Sequence, residues 1–309
     1  MGKKLKNTAI YWLIRAAIWF VRLFPYEAAS RFGGLLGRFA FHLIRGDRRR
    51  AERQLVERLG LEPAEARQTA RRLFEHLGQS AAEALCAHKI VDRLDQYVEI
   101  SPEFRALADE RLNKGESLVV VTGHIGNWEL MALALAHAGI PVNTIASASY
   151  DPRLTELIDS FRRSHQVRAL LRGDPELTAK IASIIGSGGF IGFLIDQDTR
   201  VRGDFVPFFD KPAFTPTGAA FVADRFGLDV VVGGIERISR FRHRIHFVPL
   251  DCPTDDHTAA TAAMTRHLEV MVRRYPWQWV WMHNRWKTKR VSAAASVPPD
   301  DLGEVAGPA

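Results

Sequence analysis

Two kinds of hydrophobic pattern alternate along the chain from about residue 97 onward. Short, fully apolar runs rich in β-branched residues predict buried strands, and between them apolar residues recur with the period of a helix. The predicted strands are 97–100, 118–121, 142–146, 190–195, 230–234 and 244–249. The predicted helices between or after them are 102–114, 130–138, 153–164, 177–185, 219–226 and 257–274. This order predicts an α/β fold with a mostly parallel central sheet flanked by helices.

Two segments depart from this alternation. Residues 47–60 and 63–88 are rich in Ala, Arg and Glu and predict two helices without recognisable chemistry. Residues 203–213 predict a loop, yet they contain consecutive apolar residues, including Phe205, Phe208 and Phe209. Because loops are usually polar, we expect these aromatic side chains to face a buried ligand chain or a membrane surface.

The N-terminal segment is apolar from residue 9 to residue 24 and ends at Pro25. A helix of roughly 17 residues spans about 25 Å, which is short for a bilayer core of about 30 Å. Arg15 near its middle disfavours a full crossing, whereas Trp12 and Trp19 suit the headgroup region. No small-residue cleavage site follows. We therefore expect residues 1–25 to form an uncleaved membrane-anchoring helix lying on the bilayer; packing against the protein's own core is the alternative.

The remaining 284 residues predict one domain over 26–290 and a disordered tail over 291–309, where Ala, Pro, Gly and Asp dominate. The net charge of +7 is concentrated near the N-terminus, since residues 1–60 contain 13 Lys+Arg but only 4 Asp+Glu. This indicates a flat anionic partner such as a membrane surface. Nucleic acid is disfavoured, because the aromatic residues lie in apolar stretches rather than among the basic ones. Cys86 and Cys252 share no metal-binding or redox spacing.

The first candidate site follows the strand 118–121. His124 lies where that strand gives way to a helix, at the sheet edge where α/β proteins bind ligands. A neutral imidazole can take a proton from an alcohol, and a carboxylate on its other ring nitrogen can orient it. Glu129, in the first turn of the helix, is the candidate for that carboxylate. Asn127 and Glu129 are equally typical of an ordinary helix start, so this alternative stays open.

Further polar residues are predicted at the same edge. Asp196 and Asp198 follow the strand 190–195 and could bind a divalent cation, hold Arg200 and substrate hydroxyls, or cap a turn. Arg162 and Arg163 end the helix 153–164. A guanidinium binds two phosphate oxygens at once, so we expect at least one arginine of this region to bind substrate.

Taken together, these stretches resemble the HxxxxD/E acyltransferases of glycerolipids, and within them the bacterial lipid A biosynthesis acyltransferases of the lauroyl/myristoyl type. The resemblance covers about residues 5–290 and is carried by the following stretches in the family's order: the motif 124–129, Asp196-Gln197-Asp198, the aromatic stretch 205–209 with Pro212 and Ala213, residues 215–218, and the closing stretch 275–287.

The resemblance implies an enzyme on the cytoplasmic face of the inner membrane. It would move a fatty acyl group from acyl carrier protein to a hydroxyl of an anionic glycolipid, with no metal and no cofactor besides the acyl donor. His124 would be the general base and Glu129 its orienting partner. Arg163 with its neighbour Arg162, and Asp196 or Asp198, would bind substrate. We also expect Asn127 to contact substrate, and backbone N–H groups near Gly126 and Asn127 to stabilise the oxyanion.

Several alternatives remain at this stage. Thr199-Arg200 stands where many relatives have Gly, so the acceptor could be another lysolipid or a phosphatidylinositol mannoside. A metal-dependent glycosyltransferase could use Asp196 and Asp198 instead. A membrane-binding protein without catalysis would keep the N-terminal helix and the basic run that follows it, and would tolerate His124→Ala. The sequence leaves open the acyl chain length and the oligomeric state.

Overall fold

A computed structural model describes residues 2–290 of the chain, and the side chains from residue 6 onward. The tail predicted for residues 291–309 lies outside the described residues. The helices are α1 (Gly2–Arg22), α2 (Tyr26–Leu43), α3 (Arg45–Leu59), α4 (Pro63–Cys86), α5 (Pro102–Lys114), α6 (Trp128–His137), α7 (Pro152–Arg163), α8 (Leu177–Gly186), α9 (Gly218–Phe226) and α10 (His257–Arg274).

Seven strands form the central sheet, and two more form a separate hairpin. The strands are β1 (Val98–Ile100), β2 (Leu118–Thr122), β3 (Val142–Ala146), β4 (Val167–Leu171), β5 (Phe190–Leu194), β6 (Gly203–Phe208), β7 (Lys211–Pro216), β8 (Val230–Arg237) and β9 (His243–Pro249). The sheet has the order β1-β9-β8-β2-β5-β3-β4. The five strands from β8 to β4 run parallel, whereas β9 is antiparallel to β8 and β1 is parallel to β9. The predicted mostly parallel α/β sheet is confirmed.

Both faces of the sheet are buried, as the apolar runs predict. In β2, Val119 and Val121 belong to one hydrophobic core, and Leu118 and Val120 belong to the other. This alternation follows from the two-residue period of a strand. Because β2, β3, β4, β5 and β8 are parallel, their carboxyl ends lie along the same edge of the sheet.

The prediction of an apolar loop at residues 203–213 is wrong. These residues form most of the antiparallel hairpin β6–β7, and Phe208 and Phe209 are buried. Both rings pack against the C-terminal tryptophans: Phe208 lies 5.4 Å from Trp279 and Phe209 lies 5.4 Å from Trp281. Their apolar surface is covered by distant parts of the chain, so neither ring faces a bound ligand or a lipid surface.

Helices α2 and α4 approach each other closely through glycine. A Cβ atom on Gly33 would lie 2.2 Å from the backbone oxygen of Gly78, and one on Gly78 would lie 2.1 Å from the oxygen of Gly33. The side of α2 that faces α4 is therefore built of small residues. Large apolar residues of α2, including Leu36 and Phe39, lie on the exposed side instead. Within residues 2–290, no helix is both long and apolar enough to cross a bilayer.

A buried ion pair joins α4 to the end of β8. The Arg237 guanidinium donates to both carboxylate oxygens of Glu83, at 2.7 and 2.8 Å. The same carboxylate accepts hydrogen bonds from the Ser30 hydroxyl at 2.7 Å and from Asn127 Nδ2 at 3.0 Å. Burial opposes the charged form of Glu83, but Arg237 and His243 outweigh it and lower its pKa to about 2. The pair thus links α2, α4, β8 and the start of α6.

We expect Arg237→Met to lower the free energy of unfolding by about 3–5 kcal/mol, because it leaves the Glu83 carboxylate buried without a counter-charge. Urea unfolding would measure the loss. The control is Arg244→Met, which removes an exposed pairing with Glu99 and should cost less than about 1 kcal/mol. Adding Glu83→Gln to Arg237→Met should recover part of the stability. Equal losses in the two arginine variants would contradict a structural role of the buried pair.

Two buried histidines in this region predict acid sensitivity. Burial and the Arg237 charge lower the pKa of His76 to about 3, and burial lowers the pKa of His243 to about 4. In an unfolded chain a histidine has a pKa of about 6.5, so between these values the unfolded state binds more protons. Stability is therefore retained above about pH 6.5 and falls as the pH drops toward the folded-state values.

The expected loss is about 1.4 kcal/mol per pH unit for each histidine below pH 6.5, which urea unfolding from pH 7 to pH 5 would measure. His243→Gln should make this dependence shallower. His267→Gln, which replaces an exposed histidine on α10, should leave it unchanged. The same pH dependence in all three proteins would show that His243 is not responsible.

Candidate active site

Two residues at the carboxyl edge of the sheet form a tight polar pair. His124 follows β2, and Asp196 follows the neighbouring strand β5. Asp196 Oδ1 lies 2.8 Å from His124 Nδ1, and its other oxygen, Oδ2, accepts the His124 backbone N–H at 2.8 Å. The indole N–H of Trp279 donates to the same Oδ2 at 2.7 Å. The carboxylate therefore holds both the ring and the backbone of His124.

This close approach requires a glycine before the histidine. A Cβ atom on Gly123 would lie 2.9 Å from Asp196 Cγ, nearer than real Cβ atoms come. Any side chain at position 123 would push the carboxylate away from His124. The sequence shows a glycine at the end of a strand but not the carboxylate packed against it.

The charge on Asp196 sets the tautomer of His124. Burial opposes ionisation of Asp196, but the charge and hydrogen bonds of His124, with the Trp279 hydrogen bond, outweigh it and lower its pKa to about 2. An ionised carboxylate can only accept, so Nδ1 of His124 carries the proton. Nε2 is then the basic nitrogen, and such an imidazole can accept a proton from a hydroxyl group while the carboxylate stabilises the imidazolium.

The structure corrects the prediction that Glu129 orients His124. Glu129 instead accepts two hydrogen bonds from the guanidinium of Arg162 on α7, one from Nε at 3.1 Å and one from Nη2 at 2.5 Å. The first turn of α6 aims its side chain toward α7. Asp196, 72 residues from His124 in the chain, occupies the orienting position. Glu129 and Arg162 nevertheless line the same cavity as His124.

Asp196 does not itself line this cavity, and three other predicted site residues also lie outside it. Asn127 is buried and caps α6, since its Oδ1 accepts the N–H of Leu130 and its Nδ2 contacts Glu83. Arg163 is exposed on α7, where it pairs with Glu156 at 2.6 Å. Asp198 is buried and accepts the Thr288 backbone N–H and hydroxyl, both at 2.9 Å. We find structural partners for all three and no contact with the cavity.

Both aspartates are engaged by other parts of the protein. All four of their carboxylate oxygens accept hydrogen bonds from protein donors: those of Asp196 from His124 and Trp279, and those of Asp198 from Thr288. Across residues 6–290, no three His, Cys, Asp or Glu side chains are grouped so that they could hold a metal ion. Asp198 instead anchors the end of the described chain beside the site.

An apolar cavity of about 340 Å³ lies beside His124 on one face of the sheet. Its apolar lining includes Phe104, Val120, Leu135, Ile140, Val142 and Phe190. Its polar lining includes His124, Glu129, Arg162 and Gln197 at the carboxyl edge. The arrangement therefore places a proton acceptor at the mouth of a space that suits a hydrocarbon chain.

The expected oxyanion donors are not both available. The backbone N–H of Gly126 donates to the Gln278 carbonyl at 2.9 Å, and Gly126 has a positive φ of 63° with Ile235 O where its Cβ would be. Sequence reasoning missed the roles of Trp279 and Gln278, because a tryptophan-rich stretch near the C-terminus is equally typical of a hydrophobic core.

Comparison with known proteins identifies a family for this chain. The family described as bacterial lipid A biosynthesis acyltransferase matches residues 2–288. The chain is 27% identical over 158 residues to the lipid A biosynthesis palmitoleoyltransferase of Escherichia coli (strain K12), covering 48% of this chain and 50% of that protein. A lipid A biosynthesis acyltransferase of Shigella flexneri matches to the same extent. The chain thus spans about half the length of the curated relatives it matches.

The family match extends over nearly all of the residues that contain the sheet, the His124–Asp196 pair and the adjoining cavity. The chain therefore belongs to the family of bacterial lipid A biosynthesis acyltransferases.

Proposed function

We propose that this protein transfers a fatty acyl group from an acyl carrier protein thioester to a hydroxyl of a lipid A precursor. The observation that carries the proposal is the His124–Asp196 pair at the mouth of the 340 Å³ apolar cavity. A base at the end of a hydrocarbon-shaped space is what acyl transfer requires, since the chain fills the cavity while its carbonyl carbon stays near the base.

In the proposed reaction, Nε2 of His124 takes the proton of the acceptor hydroxyl as its oxygen attacks the thioester carbonyl carbon. Asp196 stabilises the imidazolium that forms. The tetrahedral intermediate then collapses, the carbon–sulfur bond breaks, and the thiolate receives the proton from His124. The products are an ester and the free carrier thiol, with no covalent acyl-enzyme, no metal and no further cofactor.

Arg162 is the proposed contact to acceptor oxygens within the cavity. Glu129 accepts hydrogen bonds from two nitrogen atoms of the Arg162 guanidinium, and this pairing limits the motion of the guanidinium. Arg163 faces solvent with Glu156, so we assign it no role at the reacting atoms. The metal-dependent glycosyltransferase alternative has less support, because the aspartates it needs are engaged by protein donors.

We further propose that the protein works at the cytoplasmic face of the inner membrane and docks there without crossing it. Helix α1 exposes Trp12 and Trp19, at 59% and 66% of their surface, and α2 exposes Leu36 and Phe39, at 47% and 62%. These apolar residues with the basic N-terminal region fit an anionic lipid surface. The membrane-contacting region would then extend beyond residues 1–25 to α2.

We expect His124→Ala and Asp196→Asn each to lower kcat by roughly 10²–10⁴-fold, because one removes the base and the other its orienting charge. Mass spectrometry of a tetra-acylated lipid A precursor incubated with acyl carrier protein thioester would measure the product one acyl group heavier. Glu129→Gln keeps the His124–Asp196 bond, so it should raise KM for the acceptor more than it lowers kcat. His267→Ala is the control.

Three results would contradict parts of this scheme. Full activity in His124→Ala would show that His124 is not the base. A larger kcat loss in Glu129→Gln than in Asp196→Asn would show that Glu129 orients the base. A stable acyl-enzyme would replace direct transfer. If the wild-type protein forms no product, lysophospholipids and phosphatidylinositol mannosides are the next acceptors to test, and failure with all of them would end the acyltransfer proposal.

For the membrane surface, we expect the double variant Leu36→Glu/Phe39→Glu to bind vesicles containing phosphatidylglycerol at least about tenfold more weakly, since burial of each side chain contributes about 1.5–3 kcal/mol. Vesicle flotation would measure binding. Val270→Glu, which changes a residue 63% exposed on α10, is the matched control. Unchanged flotation of the α2 variant, with loss on removal of α1, would confine the docking surface to α1.

A further inference from the structure

A second apolar cavity lies on the opposite face of the sheet from the His124 cavity. It has a volume of about 100 Å³ and is enclosed by α8, α9 and the end of β5. Its apolar lining includes Leu177, Ile181, Phe193, Ile195, Val222 and Phe226. Neither the proposed base nor the Glu129–Arg162 pair lines it. The mechanism proposed above therefore makes no use of this space.

Three arginines stand at this cavity: Arg172, Arg202 and Arg225. In the part of the chain that the structure describes, none of them is within ion-pairing distance of a carboxylate; the neighbouring Lys180, by contrast, pairs with Asp174 at 2.6 Å. Arg202 and Arg225 are exposed. Three cations around an apolar cavity, without carboxylates to neutralise them, form a site that favours an anion.

Arg172 is the most constrained of the three. It follows β4 at the carboxyl edge, and its one side-chain hydrogen bond runs from Nη1 to the Thr199 hydroxyl at 3.4 Å. Burial lowers its pKa below the usual value for arginine, and no nearby carboxylate counters that effect. A partly buried guanidinium with a single weak acceptor has most of its donors available for a bound anion.

The two cavities meet at this arginine. Ile145, Arg172 and Leu194 line both of them. Phe193 faces one side of β5 and Gly192 the other, as strand alternation requires, so the cavities approach the carboxyl edge from opposite faces. An anionic group at Arg172 could therefore belong to a molecule that extends into the second cavity while also reaching the mouth of the first.

We propose that the second cavity binds an anionic amphiphile, with the end of an alkyl chain between α8 and α9 and the anionic group on Arg172, Arg202 and Arg225. This inference rests on the proposed function for the identity of its occupant. A phosphorylated lipid acceptor already carries acyl chains, and the end of one of them occupies this cavity while the chain being transferred occupies the other. A free fatty acid carries the same chemistry and is the second source.

The test uses the full wild-type chain without any acyl donor, so that binding is read separately from turnover. The probe is dodecyl phosphate with a diazirine at the chain end, and peptide mass spectrometry maps where it attaches after irradiation. We expect labelling of α8 and α9. The uncharged dodecanol analogue should label these helices about tenfold less, which corresponds to the loss of a charge-assisted hydrogen bond.

Variants separate the two halves of the site. Arg202→Gln/Arg225→Gln removes two of the cations and should reduce labelling of α8 and α9 about tenfold. Thr178→Phe adds a ring to the cavity lining and should shift the label away from these helices. Arg266→Gln, an exposed arginine of α10, is the control and should label as the wild type does. Circular dichroism would verify that each variant is folded.

Competition identifies the occupant. Displacement of the label by a phosphorylated, tetra-acylated lipid A precursor assigns the site to the acceptor, and displacement by dodecanoate alone assigns it to a fatty acid. Label confined to α6 and β3, label insensitive to the arginine changes, or displacement by neither competitor would overturn the proposal. These outcomes do not depend on turnover, so failure of the acyltransferase assay leaves them readable.

Discussion

The position of the Asp196 carboxylate is the constraint on which the site depends. A buried charge is costly unless donors surround it, and here three donors come from two separate segments of the chain. His124 at the end of β2 supplies two of them, and Trp279 near the C-terminus supplies the third. The ends of β2 and β5 and the C-terminal segment must therefore meet in one arrangement for the carboxylate to be satisfied.

The tryptophan-rich C-terminal segment takes part in that arrangement twice. Trp279 donates to Asp196, and its ring packs on Phe208 of the β6–β7 hairpin at 5.4 Å. Trp279 and Trp281 also pack together, with their ring centroids 4.6 Å apart. The segment thus covers the hairpin aromatics from water and at the same time completes the hydrogen bonds of the site. Packing and chemistry rest on the same side chains.

The segment between β2 and α6 is held at both of its ends. His124 is fixed by Asp196, and Asn127 is fixed by Glu83, whose charge is matched by Arg237. Between them, the Gly126 N–H donates to the carbonyl of Gln278, and the Gln278 side chain pairs with the backbone of Arg237. Asp196, Glu83 and Gln278 therefore hold residues 124–127 in place, as a preorganised site requires.

The sequence by itself determined six of the seven strands of the sheet and the place of His124, whereas β4 is not among the predicted strands. Runs such as 118–121 and 190–195 are apolar at every position, so only a strand buried on both faces suits them. Polar residues directly after two such runs locate a site at the carboxyl edge. The helical pattern of α5 to α10 and the ordered motifs are local properties of the sequence. They can therefore be recognised without knowledge of the fold.

Only the tertiary structure decided which side chains meet at that edge. Glu129 is five residues from His124, yet the turn of α6 directs it to Arg162, while Asp196 reaches the imidazole because β2 and β5 are neighbours in the sheet. Residues 203–213 looked like a lipid-facing loop because the tryptophans that cover them lie some 70 residues away. Contacts between distant segments depend on strand order and packing, and a local pattern of residues determines neither of them.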